Sequence, residues 1–217
     1  MRLEPHERVI EITTARLNEA QLDFLRELEN IGAGNAATAL SSILGRPVAL
    51  EVPVARIVGI AQMPEIMEDA ERLVTGSIVG MNGDLEGLIL FIQTIEDATM
   101  LSNTMLRSAG VLDEQGDFPS ELQKSALLEL SNILCGAYVN AIAELAALRI
   151  NCSVPVFTID MAGAIMNVPA AMYGMSGDVA LLLETVFCEN NLNAVSRFFL
   201  IPDIRSRDTL MKKMGIA

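Results

Sequence analysis

Apolar residues recur at helical spacing in two long stretches of this chain. In the first, Leu22, Leu25, Leu28 and Ala39 fall on one side of a helix running from about Glu19 to Leu44, with Gly45 and then Pro47 as a stop signal. The second runs from Ser120 to Leu148, with Leu127, Leu130 and Leu134 on its apolar side. Elsewhere the period shortens. Val48 to Val54 and Arg56 to Ala61 read as two strands, Pro64 to Ala70 as a short helix, and Arg72 to Met81 with Glu86 to Gln93 as an antiparallel hairpin about Asn82-Gly83-Asp84. Thr94 can cap a helix from Ile95 to Ser108, and a polar linker, Asp113 to Pro119, closes the first half. The second half repeats the order. A strand ends near Phe157, a helical stretch from Asp160 to Met172 is interrupted by Pro169, strands Asp178 to Phe187 and Val195 to Ile201 pair around Glu189-Asn190-Asn191, and a last helix starts after Pro202-Asp203. Residues 1 to 17 are polar with a weak apolar pattern, which suits a docked segment as well as a frayed tail.

The two halves share more than their order. Sliding the chain by 102 positions, the distance from Asp23 to Ser125, lays DFLRELENIGAGNAATALSSIL on SALLELSNILCGAYVNAIAELA without a gap. Leu25 then meets Leu127, Glu27 meets Glu129, Asn30 meets Asn132, Gly34 meets Gly136, and Val52-Pro53-Val54 meets Val154-Pro155-Val156. An internal duplication of about half the chain follows. The hairpins align only with about seven extra residues in the second half, inserted between Val156 and Val179. The prediction is one α/β (α+β) domain with internal pseudo-two-fold symmetry, in which antiparallel sheets carry the two long helices on one face. Its parts are an N-terminal segment, 1–18, and a domain, 19–217, made of repeats 19–112 and 119–217.

On a helix, Asp23, Glu27, Asn30 and Gly34 form a narrow stripe opposite the leucines, and Ser125, Glu129, Asn132 and Gly136 repeat it. A polar stripe on one surface helix is ordinarily just solvated. Here the neighbours, read as surface positions, change between copies (Arg26 to Leu128, Glu29 to Ser131, Thr38 to Asn140), while Glu, Asn and Gly stay. A site shape used twice explains that better than a solvated face. The glycine is costly, since Gly inside a helix is about 1 kcal/mol worse than Ala, and close approach of another surface would account for it.

The residues available narrow the chemistry. His6 is the sole histidine, and Cys135, Cys152 and Cys188 lack metal-binding spacing, so a zinc site or a histidine-based triad is excluded. Free thiols buried in apolar surroundings and a cytoplasmic location are expected, with no signal peptide and no apolar run approaching a membrane span. A net charge of −13 with scattered basic residues argues against nucleic acid and anionic membranes. The methionines are expected to fill core gaps. What a Glu and an Asn can do is limited: an amide can hold a water, and a carboxylate can pair with a lysine. Orienting water toward a phosphoryl group is mostly positioning, so such a helix could complete another protein's active site.

The pattern Asp/Ser-x3-Glu-x2-Asn, seen as Asp23-Glu27-Asn30 and Ser125-Glu129-Asn132 with IGAGNAATALS after the first, resembles the CheC branch of the CheC/CheX/FliY family of chemotaxis phosphatases. The resemblance covers nearly all the chain beyond its first 15 to 20 residues. A single-motif CheX and a FliY with an added flagellar switch domain match less well. The resemblance implies hydrolysis of the aspartyl phosphate of the response regulator CheY. Asn30 and Asn132 would orient the attacking water, and Glu27 and Glu129 would pair with the regulator's lysine. The regulator would supply Mg²⁺, with no cofactor of the chain's own. Asp23 and Ser125 would touch the partner in a supporting role. It also implies binding of the receptor deamidase CheD through the region Asp160-Met161-Ala162-Gly163, although the residues alone favour Asp160 as a helix N-cap over a partner contact. A monomer is expected, because each half finds its partner in the other. A binding module that docks on CheY, CheD or the flagellar switch without catalysis is the alternative.

Overall fold

Three strand runs, LILFI at 88–92, ALLL at 180–183 and FFLI at 198–201, are apolar without alternation, which suits strands covered on both faces. A computed structural model, describing residues 19–67, 69–111, 118–173, 179–189 and 192–213, has them so. Ile89 and Phe91 point into one core, Leu88, Leu90 and Ile92 into another, and the same split separates Leu181 and Leu183 from Leu182, and Phe198 and Leu200 from Phe199 and Ile201.

The strands are β1 (Ala49–Gly59), β2 (Leu73–Gly83), β3 (Gly87–Thr94), β4 (Ile150–Cys152), β5 (Val156–Met161), β6 (Val179–Glu189) and β7 (Leu192–Pro202). They form a single seven-stranded sheet in the order β1-β6-β7-β3-β2-β4, with β5 also on β2, and every pairing is antiparallel. The expectation of several sheets is corrected to one, because the halves interleave: β1 pairs with β6 from the far end of the chain. Exchanging β1 for β4 and β5, β2 for β6, and β3 for β7 reproduces the order reversed. The axis of that exchange passes where Phe91 faces Phe198. Ala55 faces Leu183 as Phe157 faces Ser77; 183 less 77 is 106, against 102 for the helices, so the insertion is four residues and not about seven.

Two other expectations change. The two strands expected between Val48 and Ala61 are the one strand β1, whose register shifts between Glu51 and Val54. Pro53, with no N–H to give the ladder, lies at that shift. The short helix before β2 is a 3-10 helix at Ile60–Met67.

The long helices are α1 (Glu19–Leu44) and α3 (Glu121–Ala146), each 26 residues. Gly45, at φ +64°, ends α1 as anticipated. Ser120 and Gln123 form a capping box at the start of α3. Helix α2 (Ile95–Ser108) is capped by the Thr94 hydroxyl, which accepts from the Asp97 N–H at 3.1 Å. Helix α6 (Ile204–Lys213) begins where the Asp203 carboxylate accepts from the Ser206 N–H at 2.7 Å. Both long helices and α2 bury their apolar residues on one face of the sheet. The 3-10 helix and the short helix α4 (Ala162–Met166) cover the other with Met63, Met67, Ile165 and Met166, and α5 (Val168–Tyr173) follows. Buried methionines thus pack the core as expected, with Met161 and Met172 exposed.

Pro169 does not interrupt a helix. It sits in the first turn of α5, where its missing N–H costs nothing, and the break falls at Asn167. By length and composition α3 could cross a membrane, contrary to expectation, yet most of it is buried against the sheet and its neighbouring helices. Its apolarity belongs to a core helix. The N-terminal segment and most of the linker lie outside the described residues.

Candidate active site

Leu25 and Leu28 are fully buried, and they fix how α1 is rotated on the sheet. With that rotation set, Asp23, Glu27, Asn30 and Gly34 come out exposed along one line. On α3, buried Leu127, Leu130 and Leu134 do the same for Ser125, Glu129 and Asn132, which are exposed, and for Gly136, which is half-buried. The helices pack on one another through a close contact. A Cβ on Gly32 would overlap the Tyr138 ring at Cδ1 and lie 2.6 Å from Cε1. Tyr138 is itself fixed, its hydroxyl 2.8 Å from that of Thr185 and its ring centroid 5.1 Å from that of Phe198. Burial, opposed in part by the Thr185 hydrogen bond, pushes its phenol up to about 12.

Among the described residues, no hydrogen bond or ion pair engages the side chains of Glu27, Asn30, Glu129 or Asn132. Four polar groups stand ready, two per helix, one carboxylate and one amide each. Asp23 differs: it pairs with Arg26 at 3.1 Å, both side chains more than half exposed, whereas α3 has Ser125 and Leu128 in those places. The i,i+3 spacing of Asp23 and Arg26 on a helix is enough to place that pair.

Not all the neighbours that differ between the two helices are surface positions. Glu29 and Ser131 are buried, the Ser131 hydroxyl lying 2.8 Å from both the Ser77 hydroxyl and the Leu127 carbonyl. Leu128 is half-buried, so the exposed comparison rests on Arg26, Thr38 and Asn140. Asp160 is not the helix N-cap that the sequence suggests. It is the next-to-last residue of strand β5, its carboxylate accepts from the Met161 N–H at 2.8 Å, and the N-cap of α4 is Met161, without a side-chain cap. Asp160 faces Val74, which lies in the core opposite the long helices, so it is not brought together with the stripes. Of the cysteines, Cys135 is buried, with its thiol pushed up by burial, but Cys152 is exposed and Cys188 intermediate, against the expectation of three buried thiols. Among the described residues, no group of three or more His, Cys, Asp or Glu is placed to hold a metal.

Among the described residues, this surface offers no nucleophile hydrogen-bonded to a base. It offers hydrogen-bonding and charge partners set on rigid helices, which is the equipment for orienting groups that arrive with another molecule.

Comparison with known proteins bears on both helices. The model of the CheC-like family matches residues 21–57 and 122–159, ranges that contain both Glu/Asn pairs. The CheY-P phosphatase CheC of Bacillus subtilis (strain 168) is 30% identical over 202 residues, 92% of this chain and 96% of that protein. Among solved structures, FliY of Thermotoga maritima superposes with a TM-score of 0.71 at 21% identity, covering 92% of this chain and 98% of that one. The FliG-FliM complex of H. pylori contains a chain with a TM-score of 0.63 at 11% identity, covering 90% of this chain and 100% of that one. At these identities the two structures establish likeness of fold.

Proposed function

This chain belongs to the CheC-like family, and from that premise we propose that it dephosphorylates the aspartyl phosphate of the response regulator CheY, at two sites, one on each long helix. The observation that carries the reading is the pair of exposed, unengaged Glu/Asn stripes at the same spacing on α1 and α3. The two repeats, 19–112 and 119–217, each provide one.

In the reaction, water attacks phosphorus and the acyl P–O bond breaks, giving the regulator's free aspartate and inorganic phosphate, which takes the water's proton. Asn30 or Asn132 accepts one hydrogen bond from the attacking water through its carbonyl and donates another through its NH₂, which fixes the water in line. An amide is no base, and a loose phosphoryl transition state does not need one. Glu27 or Glu129 pairs with the regulator's lysine and holds the phosphorylated pocket in register. Mg²⁺ would be held by the regulator's residues, not by this chain, and would supply charge neutralisation at the phosphoryl group. Asp23 and Ser125 support docking one turn earlier. A cytoplasmic monomer whose activity is coupled to CheD, through the surface around Asp160 to Gly163, completes the reading.

The test is phosphate release from phosphorylated CheY with wild type and with Asn30→Ala/Asn132→Ala, folding being checked for both. The proposal predicts acceleration by wild type and a loss of roughly 10²-fold or more in the variant, the scale of removing a positioning group. Binding of CheY without acceleration would make the protein a docking module. Titration with CheD, using Asp160→Ala as the weakened variant, examines the regulatory part.

A further inference from the structure

Three glycines occupy the middles of the long helices, and they are not there for one reason. Gly32 is required by this chain, since the Tyr138 ring fills the space of its side chain. Gly34 and Gly136 are not: a Cβ built on either meets no atom within 4 Å. Alanine would fit both places and favour the helix, so this fold gains nothing from their being glycine. Both nevertheless sit one turn beyond the Asn of their stripe, at the same position of two helices that differ at the exposed positions of Asp23, Arg26 and Thr38.

We propose, resting on the phosphatase reading, that Gly34 and Gly136 are positioning residues. Each leaves a gap in the helix surface into which backbone of the phosphorylated regulator beside its phosphorylation site settles. The gap sets how closely the regulator approaches, and so whether its acyl phosphate comes within hydrogen-bonding reach of the water held by Asn30 or Asn132. A Cβ there would hold the partner off by a fraction of an ångström to an ångström, a distance to which such alignment is sensitive. Gly34 is exposed and Gly136 half-buried, and the space above both is clear.

The experiment compares wild type, Gly34→Ala/Gly136→Ala and Gly34→Leu/Gly136→Leu in three readouts: thermal unfolding, binding to beryllofluoride-activated CheY, and phosphate release across CheY-phosphate concentrations. The alanine variant should melt higher, by about 2–4 °C per site. Its binding should weaken and its KM rise by roughly five- to tenfold, with kcat changing less, and the leucine variant should show no measurable binding. Wild-type binding and turnover in a more stable alanine variant would overturn the inference and leave the phosphatase reading intact. A lower melting temperature for the alanine variant would also overturn it, by showing that the glycines serve the fold. If wild type itself neither binds nor releases phosphate, the phosphatase reading fails and takes the inference with it.

Discussion

Helices α1 and α3 have the same length and repeat Glu, Asn and Gly outward, yet they differ at three places where they face inward. Gly32 on α1 stands where α3 has Leu134, Ala36 where α3 has Tyr138, and Glu29 where α3 has Ser131; all six are buried. Pairs of similar helices usually keep their cores and let their surfaces change. Here small and large residues have traded places across the helix pair while the outward Glu, Asn and Gly are held. Packing is satisfied by any combination that fills the volume. A partner molecule presenting the same shape to both helices has no such tolerance.

The sharpest way to break that comparison is through the traded core. Leu134→Ala leaves a cavity in a buried site and should cost about 2–5 kcal/mol, read from urea unfolding. Gly32→Ala should cost roughly 1–3 kcal/mol in the same measurement, because the Tyr138 ring is held by Thr185 and Phe198 and cannot swing aside. Gly34→Ala, two residues away, should stabilise. If Gly32→Ala is harmless, the inward differences between the helices are not compensating volumes.

Tyr138→Phe is milder. It removes a buried hydrogen bond and should cost about 1 kcal/mol at neutral pH. The phenol's folded pKa is raised, so the stability it contributes is complete below its unfolded value of about 10 and is lost as pH climbs toward about 12. Urea midpoints at about pH 9 and about pH 11 should fall for wild type more than for the variant. Parallel curves would place the phenol in a more solvated setting than its burial implies.

The smallest effect concerns a charged neighbour of the stripe on α1. Arg26→Leu gives α1 the residue α3 has, and removes an exposed ion pair with Asp23 that is worth under about 1 kcal/mol. In an Asn132→Ala background it should leave stability within about 0.5 kcal/mol of its parent and move the rate of the α1 site toward that of the α3 site. A larger stability loss would make Arg26 a structural residue.

Much of this was legible from the chain. Gly45 marks the end of α1, Thr94 the cap of α2, and Asn82-Gly83 the first hairpin, because each acts through local backbone chemistry. The stripe was legible because the helix period alone places Glu27 and Asn30 opposite the leucines. Strand order was not, since runs buried on both faces carry no mark of their neighbours, and so the interleaving of β1 with β6 came only from the fold. Glu29 was readable and was misread. It stands four residues after Leu25, on the same side of the helix, and its charge suggested a surface that its spacing denied. The role of Gly32 was hidden because Tyr138 approaches it from a distant part of the chain.

The measurement that tests the central claim most directly is the rate of phosphate release from phosphorylated CheY with Glu27→Ala/Asn30→Ala, with Glu129→Ala/Asn132→Ala, and with all four changes together, each variant first shown to melt like wild type. Two stripes doing one job predict that each double variant retains measurable acceleration, that the two residual rates account for the wild-type rate, and that the fourfold variant falls to the spontaneous rate. A folded fourfold variant that accelerates release as wild type does would contradict the account, because the side chains held constant between the helices would then have no part in the chemistry.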